Sequence, residues 1–257
     1  MTEVIAIASG KGGVGKTFFS INLSAALGKF GKKVLLIDAN LTTPNVCVNL
    51  KVPEFSKTIH DVLKDEVSIR EVIVPTDYLF DIVPASLSLN DLIGVDPDKL
   101  YQVIYDVSGL YDFVILDTSA GLGREAIAAI KPSEKVIVIT LPEKAALVDA
   151  YKVVKLCDTL MVPIQGIVVN KVHDNVSLLD IETYLSKPVL GTIKESNVVK
   201  KSLEEGIPLV YKDPENPVSV DILKIASKLA GVEYTPTKKK TAKTSFIDKI
   251  ISVFKRK

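Results

Sequence analysis

An apolar run, Val4-Ile-Ala-Ile-Ala8, leads directly into Gly10-Lys-Gly-Gly-Val-Gly-Lys-Thr17, and a helix-length segment follows. No other feature of the chain restricts its fold as strongly. The octapeptide matches G-x-x-x-x-G-K-[ST], and a place between a strand and a helix is the context in which that pattern forms a phosphate cradle. Glycines permit a tight backbone path that aims several N–H groups inward, and the start of the following helix adds positive potential. On this reading Gly10, Gly12, Gly13, Val14, Gly15, Lys16, Thr17 and Phe18 surround the phosphates of a nucleotide. Lys16 reaches the β- and γ-phosphates, and the Thr17 hydroxyl ligates Mg²⁺. A merely glycine-rich turn has no need of both.

The rest of the chain alternates in the same way. Strand-like apolar runs at 4–8, 33–37, 80–83, 113–116, 135–140, 165–169 and 189–193 are separated by helix-length segments at 16–29, 97–107, 124–129, 144–158, 178–185, 198–204 and 218–230. Continuous rather than alternating apolar runs fit strands covered on both faces, which predicts an α/β fold with a doubly wound, mostly parallel sheet and helices on both sides. A length of 257 residues fits one such domain, expected over 1–232. With 47% hydrophobic and 25% charged residues, global disorder is excluded.

Cys47 and Cys157 stand far apart with no C-x-x-C spacing, which argues against an iron–sulfur or zinc site within one chain and for free thiols in a reducing cytosol. The start of the chain lacks the basic region and cleavage site of an export signal, and no run reaches the roughly 20 apolar residues of a spanning helix.

Lys11, directly after the first glycine of the loop, marks the deviant Walker group. With Lys11-Gly-Gly-Val-Gly-Lys-Thr17 the sequence resembles the MinD/ParA family of P-loop ATPases from residue 1 to about residue 230, and the tail resembles the MinD branch. The resemblance implies ATP and Mg²⁺ as ligands and a homodimer in the ATP state, with Lys11 crossing to the partner's phosphates. There it would act like an arginine finger, neutralising charge on the transferring phosphoryl group. The bland alternative for Lys11 is a solvated loop lysine.

Three further segments carry site candidates. Val34-Leu-Leu-Ile-Asp-Ala-Asn-Leu-Thr-Thr-Pro-Asn45 looks like the family's first switch, with Asp38 holding a magnesium water and Asn45 closing the motif. Phe113-Val-Ile-Leu-Asp117 delivers a carboxylate at the end of an apolar strand, as a Walker B segment does to fix the metal. Either aspartate alone also reads as a helix cap or turn residue. Asn40 departs from the family pattern, which usually has aspartate to orient the attacking water; the departure implies slow turnover and a long-lived ATP state. Asn170 matches the family's adenine-reading asparagine, and Pro208 lies in a segment resembling the loop on the ring's other side; an ordinary strand-end turn also explains Asn170.

The net charge of +1 conceals an asymmetry: residues 238–257 carry eight basic side chains against Asp248 alone, so the tail holds +7 and the rest −6. Residues 233–244 read as a flexible basic linker. Beyond it, 245–257 regains helical periodicity, with Phe246, Ile247, Ile250, Ile251 and Phe254 on one side and lysines elsewhere. Such a helix suits an anionic membrane surface, and two copies on one dimer would bind far more tightly than one. Docking on the protein's own body or on nucleic acid are the competing readings, and the five large apolar residues weigh against nucleic acid.

Together these features predict a slow, partner-stimulated ATPase, cytoplasmic and peripheral on the inner face of the cell membrane. Its ATP dimer would position cellular machinery through a protein activator or cargo not named by the sequence. The alternatives are a ParA-like protein riding on DNA, an ATP-dependent reductase or iron–sulfur carrier of the same fold, and a bacterial-type tyrosine kinase. The acidic body disfavours the first, the lack of paired cysteines the second, and the lack of a tyrosine-rich tail the third.

Overall fold

The computed structural model describes residues 2–236. The helix expected at 245–257, with Phe246, Ile247, Ile250, Ile251 and Phe254, lies outside the described residues, as does most of the linker. The described residues form eight strands in chain order: β1 (Glu3–Ser9), β2 (Val34–Ala39), β3 (Val74–Pro75), β4 (Asp81–Val83), β5 (Phe113–Ala120), β6 (Lys135–Thr140), β7 (Ile164–Val172) and β8 (Val189–Lys194). They form one sheet in the order β3-β4-β2-β5-β1-β6-β7-β8. Every pairing is parallel except that of β3 with β4.

The α-helices are α1 (Lys16–Lys29), α2 (Val46–Leu50), α3 (Ile59–Leu63), α4 (Leu100–Val107), α5 (Arg124–Ile130), α6 (Lys144–Leu160), α7 (Leu178–Leu185), α8 (Val198–Glu205), α9 (Leu209–Lys212) and α10 (Pro217–Ala230). Alternate side chains of each central strand enter opposite cores, as a period of two requires. Val4, Ala6 and Ala8 of β1 join the core beneath α3 to α7, whereas Ile5 and Ile7 join the core beneath α1, α2, α9 and α10. Both faces of the sheet are therefore dry, which is why the strands read as continuous apolar runs.

Helix α1 is buried along most of its length although it contains Ser20, Asn22 and Ser24. Their polar groups are satisfied locally: Ser20 Oγ donates to the Lys16 carbonyl, Ser24 Oγ to the Ser20 carbonyl, and Asn22 Nδ2 to the Phe18 carbonyl. Asn22 Oδ1 also accepts the Val210 N–H, tying α1 to α9. Helix α10 begins with Asn216 capping the Val218 N–H and Pro217 in its first turn, and ends at Gly231 in the left-handed conformation.

The periodicity finds the long elements and misses the short ones: β3, α2, α3 and α9 have two to five residues each. A five-residue helix spans fewer than two turns and has no period to read. β5 and β7 also run past their apolar cores, to Ala120 and Val172, because ladder bonds continue after the side chains turn polar.

Candidate functional site

The loop after β1 and the chain leaving β2 and β5 converge at the carboxyl ends of the central strands, where open parallel sheets bind ligands. Strands β2 and β5 are neighbours, and their register sets Asp38 directly opposite Asp117. Their even–odd phase decides which way they point. Leu36 and Ile115, two residues before each aspartate, enter the core under α1, so both carboxylates turn to that side. A slip of one residue in either strand would send its carboxylate to the opposite face.

Helix α1 meets them with its first turns. Asp117 accepts from Lys16 Nζ at 2.8 Å, from Thr17 Oγ1 at 2.6 Å and from Ser20 Oγ at 2.9 Å. Asp38 accepts the N–H groups of Asn45 and Val46 at 3.0 and 2.9 Å, and that of Asn40 at 3.3 Å. Both aspartates are fully buried, and Lys16 is 8% exposed. Burial and the charge of Asp117 push the Asp38 carboxyl up to about 7, against the pull of the Val46 N–H, Lys16 and the Asn40 N–H. Two buried carboxylates with one lysine are electrostatically expensive, and a divalent cation offsets that cost. The donors are hard oxygens, as Mg²⁺ prefers. Among the described residues no cluster of three or more His, Cys, Asp or Glu could hold a metal.

The glycine loop itself is set by contacts that forbid side chains. A Cβ on Gly10 would lie 2.3 Å from the backbone carbonyl of Asp149 in α6. Gly15, at φ +92°, caps α1, and a Cβ there would lie 2.4 Å from Asn170 Nδ2. Asn170 supports the loop from beneath: Nδ2 donates to the Val14 carbonyl at 2.7 Å, while Oδ1 accepts the Lys171 N–H at 2.9 Å. Gly12 and Gly13 have open space where a Cβ would stand. Lys11 is one-third exposed and pairs with Glu143 at 3.4 Å, ahead of α6.

A cavity of about 280 Å³ is lined by the loop together with Asn40, Thr43, Asn45 and Ala120. Asn40, 7% exposed, spends its amide within its own loop: Nδ2 donates to the Thr43 carbonyl and Oδ1 accepts from Thr43 Oγ1. A second cavity of about 340 Å³ continues past Gly13, Gly15 and Phe18 to Asn170, Lys171 and Lys194. Its dimensions and position suit a base. Lys171 adopts φ +54° there, a strained conformation for lysine, at the strand end beside Asn170. Pro208, buried ahead of α9, lines a small adjoining crevice that shares Phe18 and Leu203 with this cavity. Its carbonyl accepts the Tyr211 and Lys212 N–H groups, which makes it a helix start.

Lys11, Lys16, Thr17, Asn40 and Asn45 thus line one cavity, with Asp38 and Asp117 buried behind it and bonded to its lining through Asn45, Lys16 and Thr17. Reading the sequence missed Ser20, Thr42, Thr43, Glu125, Asp149 and Glu143. Ser20 carried a signal, since it lies four residues after Lys16 on the same helical face. The others depend on contacts across the fold.

A glycine loop on a helix start, two buried carboxylates beside its lysine and threonine, and a base-sized cavity define a P-loop nucleotide-binding protein of the deviant Walker kind. A family model described as an AAA domain (AAA_31) matches residues 2–165. An uncharacterized ATP-binding protein of Methanocaldococcus jannaschii is 37% identical over 254 residues, covering 98% of this chain and 96% of the relative. The septum site-determining protein MinD of Pyrococcus horikoshii, solved as a complex with Mg-ADP, is 34% identical with a TM-score of 0.85, covering 89% of this chain and 96% of that one. MinD in the MinC:MinD cell division protein complex of Aquifex aeolicus matches with a TM-score of 0.81 and 30% identity, over 92% and 98% of the two chains. The chain belongs to the MinD/ParA family of P-loop ATPases, and nucleotide and Mg²⁺ are its ligands.

Proposed function

We propose that this chain is a nucleotide-switched ATPase of MinD type, in which ATP and Mg²⁺ hold two copies together and the pair docks on an anionic membrane surface. The observation that carries the reading is the charge of the site. Asp38 and Asp117 are fully buried with Lys16 as their close cation. When bound, ATP–Mg²⁺ supplies the transferable phosphoryl group and the balancing charge. Lys16 and Thr17 hold the phosphates and metal, Asp38 and Asp117 orient the metal's waters, and Asn170 sets the loop that carries them. Lys11, paired with Glu143 on the outer side of the loop, is free to exchange that exposed contact for a second copy's phosphates.

ATP favours the dimer by its differential affinity for that state. Two copies of the 245–257 segment then act at high effective concentration, raising attachment by about 10²–10⁴-fold over one. Among the described residues no helix is long and apolar enough to cross a membrane. Asn40, lacking a carboxylate, keeps hydrolysis slow and prolongs the attached state; a protein activator or cargo would then set its lifetime.

The test is sedimentation with anionic liposomes in ATP–Mg²⁺ and in ADP, using the full chain and a version ending at Thr244. The full chain is expected to pellet only with ATP, and the shortened chain never. If the full chain stays in the supernatant in every nucleotide state, the membrane reading is wrong, and DNA becomes the surface to try.

A further inference from the structure

Two chain segments leave the strands that supply the carboxylates. Residues 40–45 follow β2, and residues 121–123 follow β5 and lead into α5. Within the first segment the side chains bond locally: Asn40 Nδ2 and Asn45 Nδ2 both donate to the Thr43 backbone carbonyl, and Thr43 Oγ1 donates to Asn40 Oδ1 at 3.1 Å. Those bonds shape the loop without placing it on the body of the protein. Asp38 pins its far end through the Asn45 and Val46 N–H groups.

Thr42, at the exposed tip, directs both of its donors at one carboxylate. Its Oγ1 donates to Glu125 Oε1 and its N–H to Glu125 Oε2 at 3.4 Å. Glu125 is half-buried in the first turn of α5. The start of that helix is fixed independently, because Arg124 pairs with Asp96 at 2.8 Å and Asp98 at 3.0 Å while Ala126, Ala128, Ala129 and Ile130 enter the core. Leu41 is buried in the core with its carbonyl on His60 Nε2 at 3.1 Å, and Pro44 is buried as well, so Glu125 links a rooted helix to the exposed tip of a loop whose base is anchored. Each bond is exposed and individually weak, which suits a tether that must break and re-form.

We propose that Glu125 is a positioning residue: through Thr42 it ties the 40–45 loop to the start of α5, so that Asn40 is set over the phosphate site in step with the strand carrying Asp117. The inference rests on the ATPase reading and deepens it, since Glu125 itself touches no reacting atom.

Hydrogen exchange of the full chain in Mg-ADP reads the tether directly. Glu125→Ala is expected to raise exchange at residues 40–46 by about ten-fold with residues 10–17 unchanged, and Glu125→Gln, which keeps an acceptor oxygen, to recover most of the protection. Steady-state hydrolysis then reads its consequence. Thr42→Val and Glu125→Ala should each lower kcat by about five-fold while KM for ATP moves less than about two-fold, and the double variant should be no slower than Glu125→Ala alone. Unchanged exchange at 40–46 in Glu125→Ala, or additive losses in the double variant, would overturn the proposal. A wild-type chain that hydrolyses no ATP would count against the ATPase reading instead, and the exchange measurement would still decide whether the tether exists.

Discussion

The 10–17 and 40–45 loops contribute to the same cavity, yet close backbone packing holds the first, whereas the second has a buried base at Leu41 and an exposed tip held by side-chain hydrogen bonds. The glycine loop is wedged between the Asp149 carbonyl and the Asn170 amide, with no room for a methyl group at Gly10 or Gly15. The loop after β2 carries no glycine; Leu41 in the core and Asp38 hold its base, and Glu125 holds its tip. A phosphate cradle works by being preorganised, so rigidity there costs no reorganisation during reaction. A loop that must respond to the nucleotide needs bonds that break at small cost. The two loops divide those tasks.

Four substitutions test that division, from the largest expected effect to the smallest. Gly10→Ala forces a methyl group onto backbone that cannot yield; it should cost about 3 kcal/mol in a urea melt and weaken nucleotide binding about 100-fold by calorimetry. Near-normal binding would mean that α6 moves freely, and the rigid half of the comparison would fail.

Asp38→Asn addresses the charge between the loops. Asp38 titrates near 7 in the folded protein and near 3.8 unfolded, so its contribution is fully present below about pH 4 and is lost as pH rises through about 7. Nucleotide-free wild type should lose stability across that window, at up to about 1.4 kcal/mol per pH unit. Asp38→Asn should flatten the slope; an equal slope in melts of both proteins would assign it to other groups.

Asn40→Asp should speed hydrolysis about ten-fold, because a carboxylate orients the attacking water better than an amide whose groups are bonded to Thr43. An unchanged rate would remove Asn40 from control of turnover. Thr42→Val should change stability by less than about 0.5 kcal/mol, as expected for an exposed tether. A loss several times larger would show that the second loop, too, is part of the rigid frame.

Helix α1 was legible to the residue, since a glycine loop opens it and Gly31 follows its end. The central strands were legible as apolar runs, and Asp38 and Asp117 stood out as charges at their ends. The 46–50 and 59–63 helices were not, because each is shorter than two turns and is held by tertiary contact: Val46 and Leu50 sit in one core, Ile59 and Leu63 in the other. Pro208 lies at the start of α9 in a crevice that shares Phe18 and Leu203 with the base cavity, a neighbourhood that no local pattern announces.

By itself the sequence determined the cradle, the alternation of strand and helix, and which acids end which strands, because each is written within a dozen neighbouring residues. Only the tertiary structure decided that Asp38 faces Asp117, that Asn170 props Val14 from 156 positions away, and that Glu125 reaches Thr42 across 83. Those contacts follow from the order in which the strands assemble into one sheet, and that order is set by how two cores are buried rather than by any local pattern.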